Sequence, residues 1–402
     1  MRVKIEKLDH FGRGITKIDN KICFVDGALT DEVVDAEIVK EKSKYLEGKT
    51  TKVIDSSKYR KKVECPYYDV CGGCNLLHLS YDEENKFKEM KVAEILKRYG
   101  NKENIKINSI CFGEESGYRN KVVLHGSDGK LGFYKEGSNE LVQIKSCMLL
   151  PDIINKLIDK LNDIARKSDI RKVTIRVSND LDKVMVKIDG KISDISSIRD
   201  MVDVLIINDE VISLEDKIIS KIGDVSYSVS IGSFFQVNRD LTFKLYEKVL
   251  EHVKNIRPNK VLDLYCGTGT IGIYVSKYAL EIVGVDSCQS SIDNAFFNKK
   301  LNNVNNINFI CDKVENVIDQ FNNIDLIIVD PPRAGLDTKT INYIEKIAPD
   351  TIIYVSCDPV TLARDLNSLD NYEVLEVTPF NMFPRTYHVE CVSVLYRKNF
   401  EK

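Results

Sequence analysis

The pattern of apolar and polar positions divides the 402-residue chain into three regions. Up to about residue 55, short alternating runs bounded by turn residues predict β-strands. In the middle region, residues 118–147 predict an antiparallel meander, residues 151–167 a helix, and the polar pair Asn179 and Asp180 the turn of a hairpin. From about residue 240, strand-like runs alternate with helical segments. We therefore expect three domains, at residues 1–56, 57–232 and 233–402.

The first region predicts a small β-barrel. Its strands are expected at residues 3–8, 14–18, 21–25, 32–42 and 45–54. Short, evenly spaced strands separated by glycine and Asp-Asn turns suit a closed barrel of the oligonucleotide-binding type. Residues 1–62 carry 15 Lys and Arg against 11 Asp and Glu, whereas the whole chain has a net charge of -3. A basic segment ahead of an acidic body favours a polyanionic partner.

The last region predicts a parallel, doubly wound α/β sheet. Five strands are expected at residues 261–265, 281–286, 307–311, 325–329 and 351–356, with a helix between each and the next. Two further strands, near residues 372–378 and 388–396, have no helix between them. We therefore expect them to form an antiparallel pair at one edge. Seven strands that end in such a pair are the layout of class I S-adenosylmethionine-dependent methyltransferases.

Composition excludes several classes of protein. The chain contains no run of about 18 apolar residues, which excludes a membrane-spanning helix. Charged residues occupy the N-terminal positions that a signal peptide needs to be apolar. We therefore expect a cytoplasmic protein without a membrane partner. Eleven cysteines are too dilute for a disulfide scaffold in a chain of this length, and closely spaced cytosolic cysteines more often bind metal or take part in chemistry.

A glycine-rich turn follows the first strand of the last region. The sequence VLDLYCGTGTIG, at residues 261–272, is an apolar strand that leads into glycines and then a helix. Gly267 and Gly269 let the backbone approach a ligand, and the helix N-terminus offers free N–H groups. Asp286 ends the next strand, about where an acidic residue binds ribose hydroxyls. Its alternative role is to cap the following helix, and the two roles are compatible.

Two more strand ends carry reactive groups. The sequence DPPR ends the fourth strand with Asp330 and Arg333, and SCDP ends the fifth with Cys357. Ligands of open parallel sheets bind at the carboxyl ends of strands, so these side chains are predicted to face one crevice. Cys357 also precedes a helix whose dipole favours the thiolate, so we expect a nucleophile there. The alternatives are a stiff connection with a solvent-facing acid and a buried structural thiol.

A cysteine cluster lies in the middle region. Cys65, Cys71 and Cys74 have the spacing C-x5-C-x2-C, and Cys147 is available as a fourth ligand. Four thiolates suit zinc or an iron–sulfur cluster, and spacing does not choose between them. The other cysteines are predicted to be core or surface thiols: Cys23, Cys111, Cys266, Cys288, Cys311 and Cys391.

These motifs resemble those of the RNA (uracil-5-)-methyltransferase family, most closely its 23S ribosomal RNA branch, and the resemblance runs nearly end to end. It implies that residues 1–56 form a TRAM domain, a small RNA-binding barrel. It also implies that the four cysteines hold a [4Fe–4S] cluster and that S-adenosylmethionine is the methyl donor. The expected partner is RNA, with 23S rRNA first, and the protein is expected to be a monomer.

The resemblance also assigns roles to single residues. Cys357 falls on the nucleophile, and Glu390, in MFPRTYHVE, falls on the base that accepts a proton. The residues implied to contact the cofactor or the pyrimidine beside it are Gln236 of SFFQVN, Tyr265, Gly267, Gly269, Asp286, Asp312 and Asp330. Asp358 stands where the family usually has Asn, and we expect its negative charge to raise the pKa of Cys357.

These roles imply a covalent mechanism. Addition of a thiolate at uracil C6 makes C5 nucleophilic, and a base then removes the C5 proton after methyl transfer. A paired base must leave its stack to be reached. Two other functions stay open: methylation of a tRNA uridine, and a non-catalytic role as a ribosome-associated RNA-binding protein. Radical chemistry is disfavoured because it needs C-x3-C-x2-C, where this chain has C-x5-C-x2-C.

Overall fold

The computed structural model, which describes residues 1–99 and 105–398, begins with a barrel. Its strands are β1 (Arg2–Lys4), β2 (Lys7–Leu8), β3 (Gly14–Ile18), β4 (Lys21–Asp26), β5 (Val33–Glu41) and β6 (Tyr45–Asp55). They lie in the order β1-β5-β6-β4-β3-β2. The single strand predicted at residues 3–8 divides in two, because the Ile5 N–H donates to the Glu32 carbonyl and the Glu6 N–H to the Ile15 carbonyl. This change of partner closes the barrel around its apolar core.

The central region combines a long helix with a mixed sheet. Its elements are α1 (Tyr81–Tyr99), β7 (Lys106–Ile107), β8 (Lys121–Ser127), β9 (Lys130–Tyr134), β10 (Leu141–Gln143), α2 (Asp152–Ala165), β11 (Asp169–Val177), β12 (Val184–Lys191), α3 (Ser196–Arg199), β13 (Val204–Ile207), β14 (Glu210–Val211), β15 (Lys217–Ile222) and β16 (Val225–Ser230). The predicted meander (β8 to β10), helix (α2) and hairpin (β11 and β12) are present. The sequence analysis did not predict α1 or the strands from β13 to β16.

The C-terminal region is a sheet with helices on both faces. Its elements are α4 (Arg239–Ile256), β17 (Lys260–Leu264), α5 (Thr270–Val275), β18 (Glu281–Asp286), α6 (Gln289–Leu301), β19 (Ile307–Cys311), α7 (Val314–Val317), β20 (Leu326–Val329), α8 (Thr338–Ile347), β21 (Thr351–Ser356), α9 (Pro359–Ser368), β22 (Tyr372–Phe380) and β23 (Glu390–Arg397). The strand order is β19-β18-β17-β20-β21-β23-β22-β7. Two apolar clusters, one on each face, form its core.

The edge of this sheet differs from the prediction. Strands β22 and β23 are antiparallel, as expected, and β23 lies between β21 and β22. However, the short strand β7 pairs with β22 in parallel, so the described part of the sheet has eight strands and not seven. The outer edge of the antiparallel pair is therefore partly occupied by β7 and the residues after it, about 270 residues earlier in the chain.

Helix α1 packs against the C-terminal region because it has an unusual buried face. Apolar Phe87, Val92, Ile95 and Leu96 are buried together with polar Glu84, Asn85, Lys88 and Lys91. The charged positions interrupt the apolar periodicity that normally identifies an amphipathic helix. No helix within residues 1–99 and 105–398 combines the length and the apolar character needed to cross a bilayer.

Candidate active site

Four strand ends meet at one edge of the C-terminal sheet. Strand β17 pairs in parallel with β18 and β20, and β20 pairs in parallel with β21. The carboxyl ends of these strands therefore share one edge, which carries the glycine-rich turn, Asp286, Asp330 and Cys357. The strand-end motifs therefore share one edge of the sheet, as predicted, and we call the space along this edge the crevice. The roles of its residues remain predictions.

The glycine-rich turn is held open by Asp286. Tyr265, Gly267 and Gly269 all have a positive φ, at 62°, 53° and 74°. One Asp286 oxygen accepts the Gly267 N–H (3.0 Å) and the other accepts the N–H of Cys288 (2.8 Å). A Cβ added at Gly267 would meet no atom within 4 Å, so the space beside the turn is free for a ligand.

Asp263 adds an unsatisfied oxygen next to this turn. Its Oδ2 accepts the Gly272 N–H (2.9 Å), whereas Oδ1 has no hydrogen-bond partner among the described residues. Burial, followed by the charges of Asp330 and Asp286, raises the pKa of Asp263 to about 7. A buried carboxylate with a free oxygen is costly unless a donor or a cation meets it. The open turn and this oxygen thus fit a nucleoside cofactor that carries a positive charge.

Asp312 lies one strand further along the edge. Its backbone N–H donates to the Asp286 carbonyl (3.1 Å), so the ends of β18 and β19 are joined directly. Its Oδ1 accepts the Lys313 N–H (2.7 Å) and Asn316 Nδ2 (2.8 Å). The backbone connection places Asp312 beside the acid that holds the turn.

Cys357 lies opposite Glu390. Ser356 of β21 pairs with Cys391 of β23, and the same antiparallel register places Cys357 opposite Glu390 one position on. Glu390 is only 3% exposed, and burial followed by the charge of Asp330 raises its pKa. Burial likewise raises the pKa of Asp330. The nucleophile candidate thus faces two carboxyl groups that favour their protonated forms.

The Cys357 thiol is stabilised against ionisation. Burial, followed by the charges of Glu390 and Asp330, raises its pKa to about 11. Arg333 lowers this pKa, and Asp358 raises it slightly, in the direction expected from its charge. Asp358 also caps α9, with Oδ1 accepting the N–H groups of Val360 (2.9 Å) and Thr361 (3.1 Å). In the free protein, burial and the neighbouring acids raise the pKa of Cys357. The sequence had predicted the opposite effect, a pKa lowered by the dipole of the following helix.

The SFFQVN loop, residues 233–238, connects the central region to the crevice. Asn120, just before β8, donates from its side chain to the Gln236 carbonyl (3.0 Å) and from its backbone to the Val237 carbonyl (2.9 Å). Asn238 caps α4 and donates to the Met382 carbonyl (3.1 Å). These bonds fix the backbone of buried Gln236 against the loop that leads to Glu390.

That second loop, residues 382–390, is anchored by a buried polar cluster that the sequence analysis missed. We call Glu84, Lys88, Asn381 and Arg385 the Glu84 network. Glu84 accepts from Lys88 Nζ (2.9 Å), from the Arg385 backbone (2.9 Å) and from its guanidinium (3.2 Å). Lys88 also donates to Asn381 Oδ1 (2.6 Å). A Glu-Lys pair four residues apart on a helix was the only sequence signal of this network.

His388 and Arg333 lie at the mouth of the crevice. Arg333 Nη2 is 3.1 Å from His388 Nδ1. Burial, followed by the charge of Arg333, lowers the pKa of His388 to about 4. The imidazole is therefore neutral at physiological pH and accepts a hydrogen bond from Arg333.

The four predicted metal-ligating cysteines share one cavity. Cys65, Cys71, Cys74 and Cys147 line a cavity of about 600 Å³ in the central region. Burial, followed by the neighbouring cysteines, raises the pKa of Cys74, and burial is the first cause that raises that of Cys147 to about 11. Within residues 1–99 and 105–398, no group of Cys, His, Asp or Glu has the arrangement that holds a metal ion. The metal site therefore stays a prediction.

Comparison with known proteins identifies the family. A family model described as tRNA (Uracil-5-)-methyltransferase matches residues 199–398, and a TRAM domain model matches residues 1–51. A protein of Clostridium acetobutylicum named as an uncharacterized RNA methyltransferase is 34% identical over 98% of this chain and 96% of its own. This chain belongs to the RNA (uracil-5-)-methyltransferase family.

Two further relatives support this assignment. An uncharacterized RNA methyltransferase of Halalkalibacterium halodurans is 33% identical over 99% of this chain and 97% of its own. The crystal structure of Pyrococcus abyssi tRNA (uracil-54, C5)-methyltransferase in complex with S-adenosyl-L-homocysteine superimposes with a TM-score of 0.83 at 28% identity, covering 98% of this chain and 100% of that one. As an RNA (uracil-5-)-methyltransferase, this protein is a transferase that uses S-adenosylmethionine, with an N-terminal TRAM domain and a C-terminal class I fold.

Proposed function

We propose that this RNA (uracil-5-)-methyltransferase methylates carbon 5 of a uridine by covalent addition of Cys357 to carbon 6, with Glu390 as the proton acceptor. One observation carries the proposal. The β21–β23 register, continued by one residue, pairs Cys357 with Glu390, and the glycine-rich turn follows another strand at the same edge of the sheet. A thiol, a base and a cofactor cradle are the parts that this reaction needs.

The glycine-rich turn and its neighbours hold the cofactor in this proposal. When bound, S-adenosylmethionine supplies an electrophilic methyl group. Asp286 contacts the ribose, Gly267 leaves room for the nucleoside, and Tyr265, Gly269 and Asp312 complete the site. The space beside Gly269 is occupied by the ring of Phe309. The unpartnered oxygen of Asp263 lies beside the same turn and compensates part of the positive charge.

In this proposal, the carboxyl groups of Asp330 and Glu390 govern the ionisation of Cys357 and the removal of the C5 proton. Protonation of Asp330 reduces the repulsion that Cys357 experiences, which lowers its pKa and favours the thiolate. The thiol proton passes to solvent, and Glu390 stays deprotonated for the later step. The sulfur adds to C6, and the electron pair of the C5–C6 double bond moves into the ring to form an enolate. After methyl transfer to C5, a deprotonated Glu390 accepts the C5 proton. The C5–H electrons restore the double bond, and the C6–S bond breaks to release the thiolate.

The remaining crevice residues orient the pyrimidine. Gln236 lies on a backbone fixed by Asn120, and we assign its amide to the polar edge of the uracil, together with Asp330. An amide that can both donate and accept matches the alternating carbonyl and N–H groups of that edge. Because an uracil in a helix cannot reach Cys357, the target is taken from a loop or flipped out of its stack.

The first candidate target is 23S rRNA, which the family resemblance of the TRAM and cysteine motifs favours. A tRNA uridine is the second candidate, because the superimposed Pyrococcus abyssi enzyme is named as a tRNA (uracil-54, C5)-methyltransferase. Nucleoside mass mapping of rRNA and tRNA from a strain that lacks this protein distinguishes them. Loss of 5-methyluridine from 23S rRNA alone supports the first candidate, and loss from tRNA alone supports the second. No loss from either RNA contradicts the proposed function.

The four cysteines are assigned to a [4Fe–4S] cluster. A single zinc ion requires all its sulfur ligands at about 2.3 Å from the metal. The four cysteines line one cavity in the described structure. Four thiol donors around one cavity suit either metal group, and the family resemblance favours the cluster. Its role is structural, since the proposed reaction moves no electron to or from a metal.

Two substitutions test the mechanism. Cys357→Ala should bind RNA and cofactor but form no adduct, because C5 never becomes nucleophilic. Glu390→Gln retains the thiol, so it should transfer the methyl group and then accumulate a protein–RNA adduct that survives denaturing electrophoresis. RNA that contains 5-fluorouridine should trap the wild type at the same stage, because fluorine does not leave as a cation. Turnover of Glu390→Gln at the wild-type rate, without an adduct, would show that Glu390 is not the base.

A further inference from the structure

A row of aromatic side chains joins the TRAM barrel to the loop at residues 382–390. Phe11, in the turn between β2 and β3, is 53% exposed. Its ring meets that of Tyr387 edge-on, with 5.2 Å between the centroids and 80° between the planes. The ring of Tyr387 lies 4.3 Å from that of His388, which contacts Arg333 at the mouth of the crevice. We call Phe11, Tyr387 and His388 the aromatic ridge.

The turn that carries Phe11 is rigid. Asp9 Oδ1 accepts the backbone N–H groups of both Phe11 and Arg13, each at 2.8 Å, and Oδ2 accepts Arg13 Nε at 2.8 Å. The Arg13 guanidinium lies over the ring of Phe24 (4.5 Å) and near that of Phe11 (5.3 Å). Isolated exposed apolar residues are common on protein surfaces. An exposed ring that is fixed by its own hydrogen-bonded turn is instead ready to bind a flat partner.

Three cations lie close to the ridge. Lys91 Nζ donates to the Tyr387 carbonyl (2.8 Å) and lies 5.2 Å from the centre of its ring. Arg333 is 59% exposed, and its nearest acid, Asp358, is 3.9 Å away. The charge of Arg13 is compensated by Asp9, so Arg13 supports the ring and adds little free charge. Arg333 is the exposed cation of this group, whereas Lys91 is buried. A cation beside aromatic rings is typical of surfaces that bind single-stranded nucleic acid.

We propose that the aromatic ridge is a stacking site for an unpaired nucleobase next to the target uridine. The proposal rests on the proposed function. Removing a uridine from its stack leaves the neighbouring base without a partner, and an exposed ring can replace that partner. The ridge lies between the barrel and the crevice, which is where RNA held by both must pass. The competing explanation is that Phe11 only packs the barrel against the loop at residues 382–390.

Binding measurements with two RNAs separate these explanations. The first probe is a single strand of twelve uridines, and the second is the same strand with abasic ribose in place of every base. Phe11→Ala should weaken binding of the first probe roughly 5- to 150-fold, the range for loss of one stacked base. It should leave the affinity for the abasic strand unchanged, because that strand offers no ring.

Matched variants complete the test. Phe11→Leu keeps an apolar contact with Tyr387 without an aromatic face, so it should bind like Phe11→Ala, whereas Phe11→Tyr should bind within about twofold of wild type. Tyr278→Ala removes an exposed ring at the opposite edge of the sheet and should change nothing. Equal weakening on both probes, or wild-type affinity of Phe11→Ala on the uridine strand, would overturn the proposal.

A second readout keeps this inference separate from the proposed function. If both hold, Phe11→Ala raises KM for the RNA substrate and leaves kcat nearly unchanged, since Phe11 contacts no reacting atom. If wild-type protein methylates no RNA but its affinity for the uridine strand depends on Phe11, the proposed function fails and the stacking site stands. If wild type methylates RNA and Phe11→Ala has the wild-type KM, the stacking site fails alone.

Discussion

Replacing Glu84 by Gln should destabilise the C-terminal region more than any surface substitution. Glu84 is fully buried and is the acid that meets two buried cations, Lys88 and the Arg385 guanidinium. Gln has nearly the same shape, so the variant removes the charge and leaves packing intact. What remains is a pair of buried cations with Glu115, half-exposed beside Arg385, as their closest remaining acid.

The cost follows from the burial of the pair. Removing one partner of a buried ion pair typically costs about 3–5 kcal/mol, because the other charge stays in a low-dielectric environment without compensation. For a domain of 150–250 residues, 1 kcal/mol corresponds to roughly 2–4 °C in Tm, so the decrease should be roughly 6–20 °C. The matched control is Asp163→Asn, which breaks an exposed ion pair with Arg166 (2.8 Å). Such pairs contribute about 1 kcal/mol or less.

Scanning calorimetry of the full chain at two pH values is the assay. Burial lowers the pKa of Lys88, and Glu84 opposes this effect. In Glu84→Gln the folded-state pKa of Lys88 falls further, whereas the unfolded chain keeps this lysine protonated up to about pH 10. The unfolded state then binds more protons, so the stability of the variant increases with pH and its deficit should be smaller at pH 9.5 than at pH 7. A Tm within 2 °C of wild type at pH 7, or a deficit that grows with pH, would refute this reasoning.

Three further outcomes are expected. Asp330→Asn removes a charge that raises the pKa values of both Glu390 and Cys357, so the acid limb of the pH profile of kcat/KM should move to lower pH, and an unmoved limb would contradict the coupling. Anaerobically purified protein should be brown and contain iron and sulfide, and Cys71→Ser should lose both; stoichiometric zinc without sulfide would exclude the cluster. Deleting residues 1–56 should weaken RNA binding and reduce its salt dependence without changing cofactor affinity, and unchanged RNA affinity at every salt concentration would exclude a role for the barrel in binding.

The elements that the sequence predicted well are those with a clear pattern of apolar residues. Strands β17, β18, β20 and β21 are largely buried on both faces and have nearly continuous apolar runs. Helix α1 was missed because Glu84, Lys88 and Lys91 occupy buried positions that an amphipathic pattern fills with apolar residues. Acidic residues in its first turn and basic residues in its last turn were the signals available. Its burial depends on Arg385, about 300 residues away, which no local pattern contains.

The residues of the candidate site also divide into those that local sequence predicts and those that depend on distant parts of the chain. Asp286, Asp330 and Cys357 end parallel strands, so topology alone brings them to one edge. Glu390 begins a strand and is nearly buried, and only the antiparallel register of β21 and β23 places it opposite Cys357. Its assignment in the sequence therefore depended on the family resemblance. The pKa of Cys357 was also out of reach, because burial and two acids distant in sequence determine it.

The position of β23 has a consequence for the order in which the protein becomes active during synthesis. This strand is the last regular element in the described chain, yet it lies inside the sheet, between β21 and β22. A nascent chain can form β17 to β21, with the glycine-rich turn and Cys357, before Glu390 leaves the ribosome. The proposed nucleophile and the proposed base meet only when the final strand inserts. An incompletely synthesised chain therefore has the Cys357 thiol without the Glu390 carboxyl group.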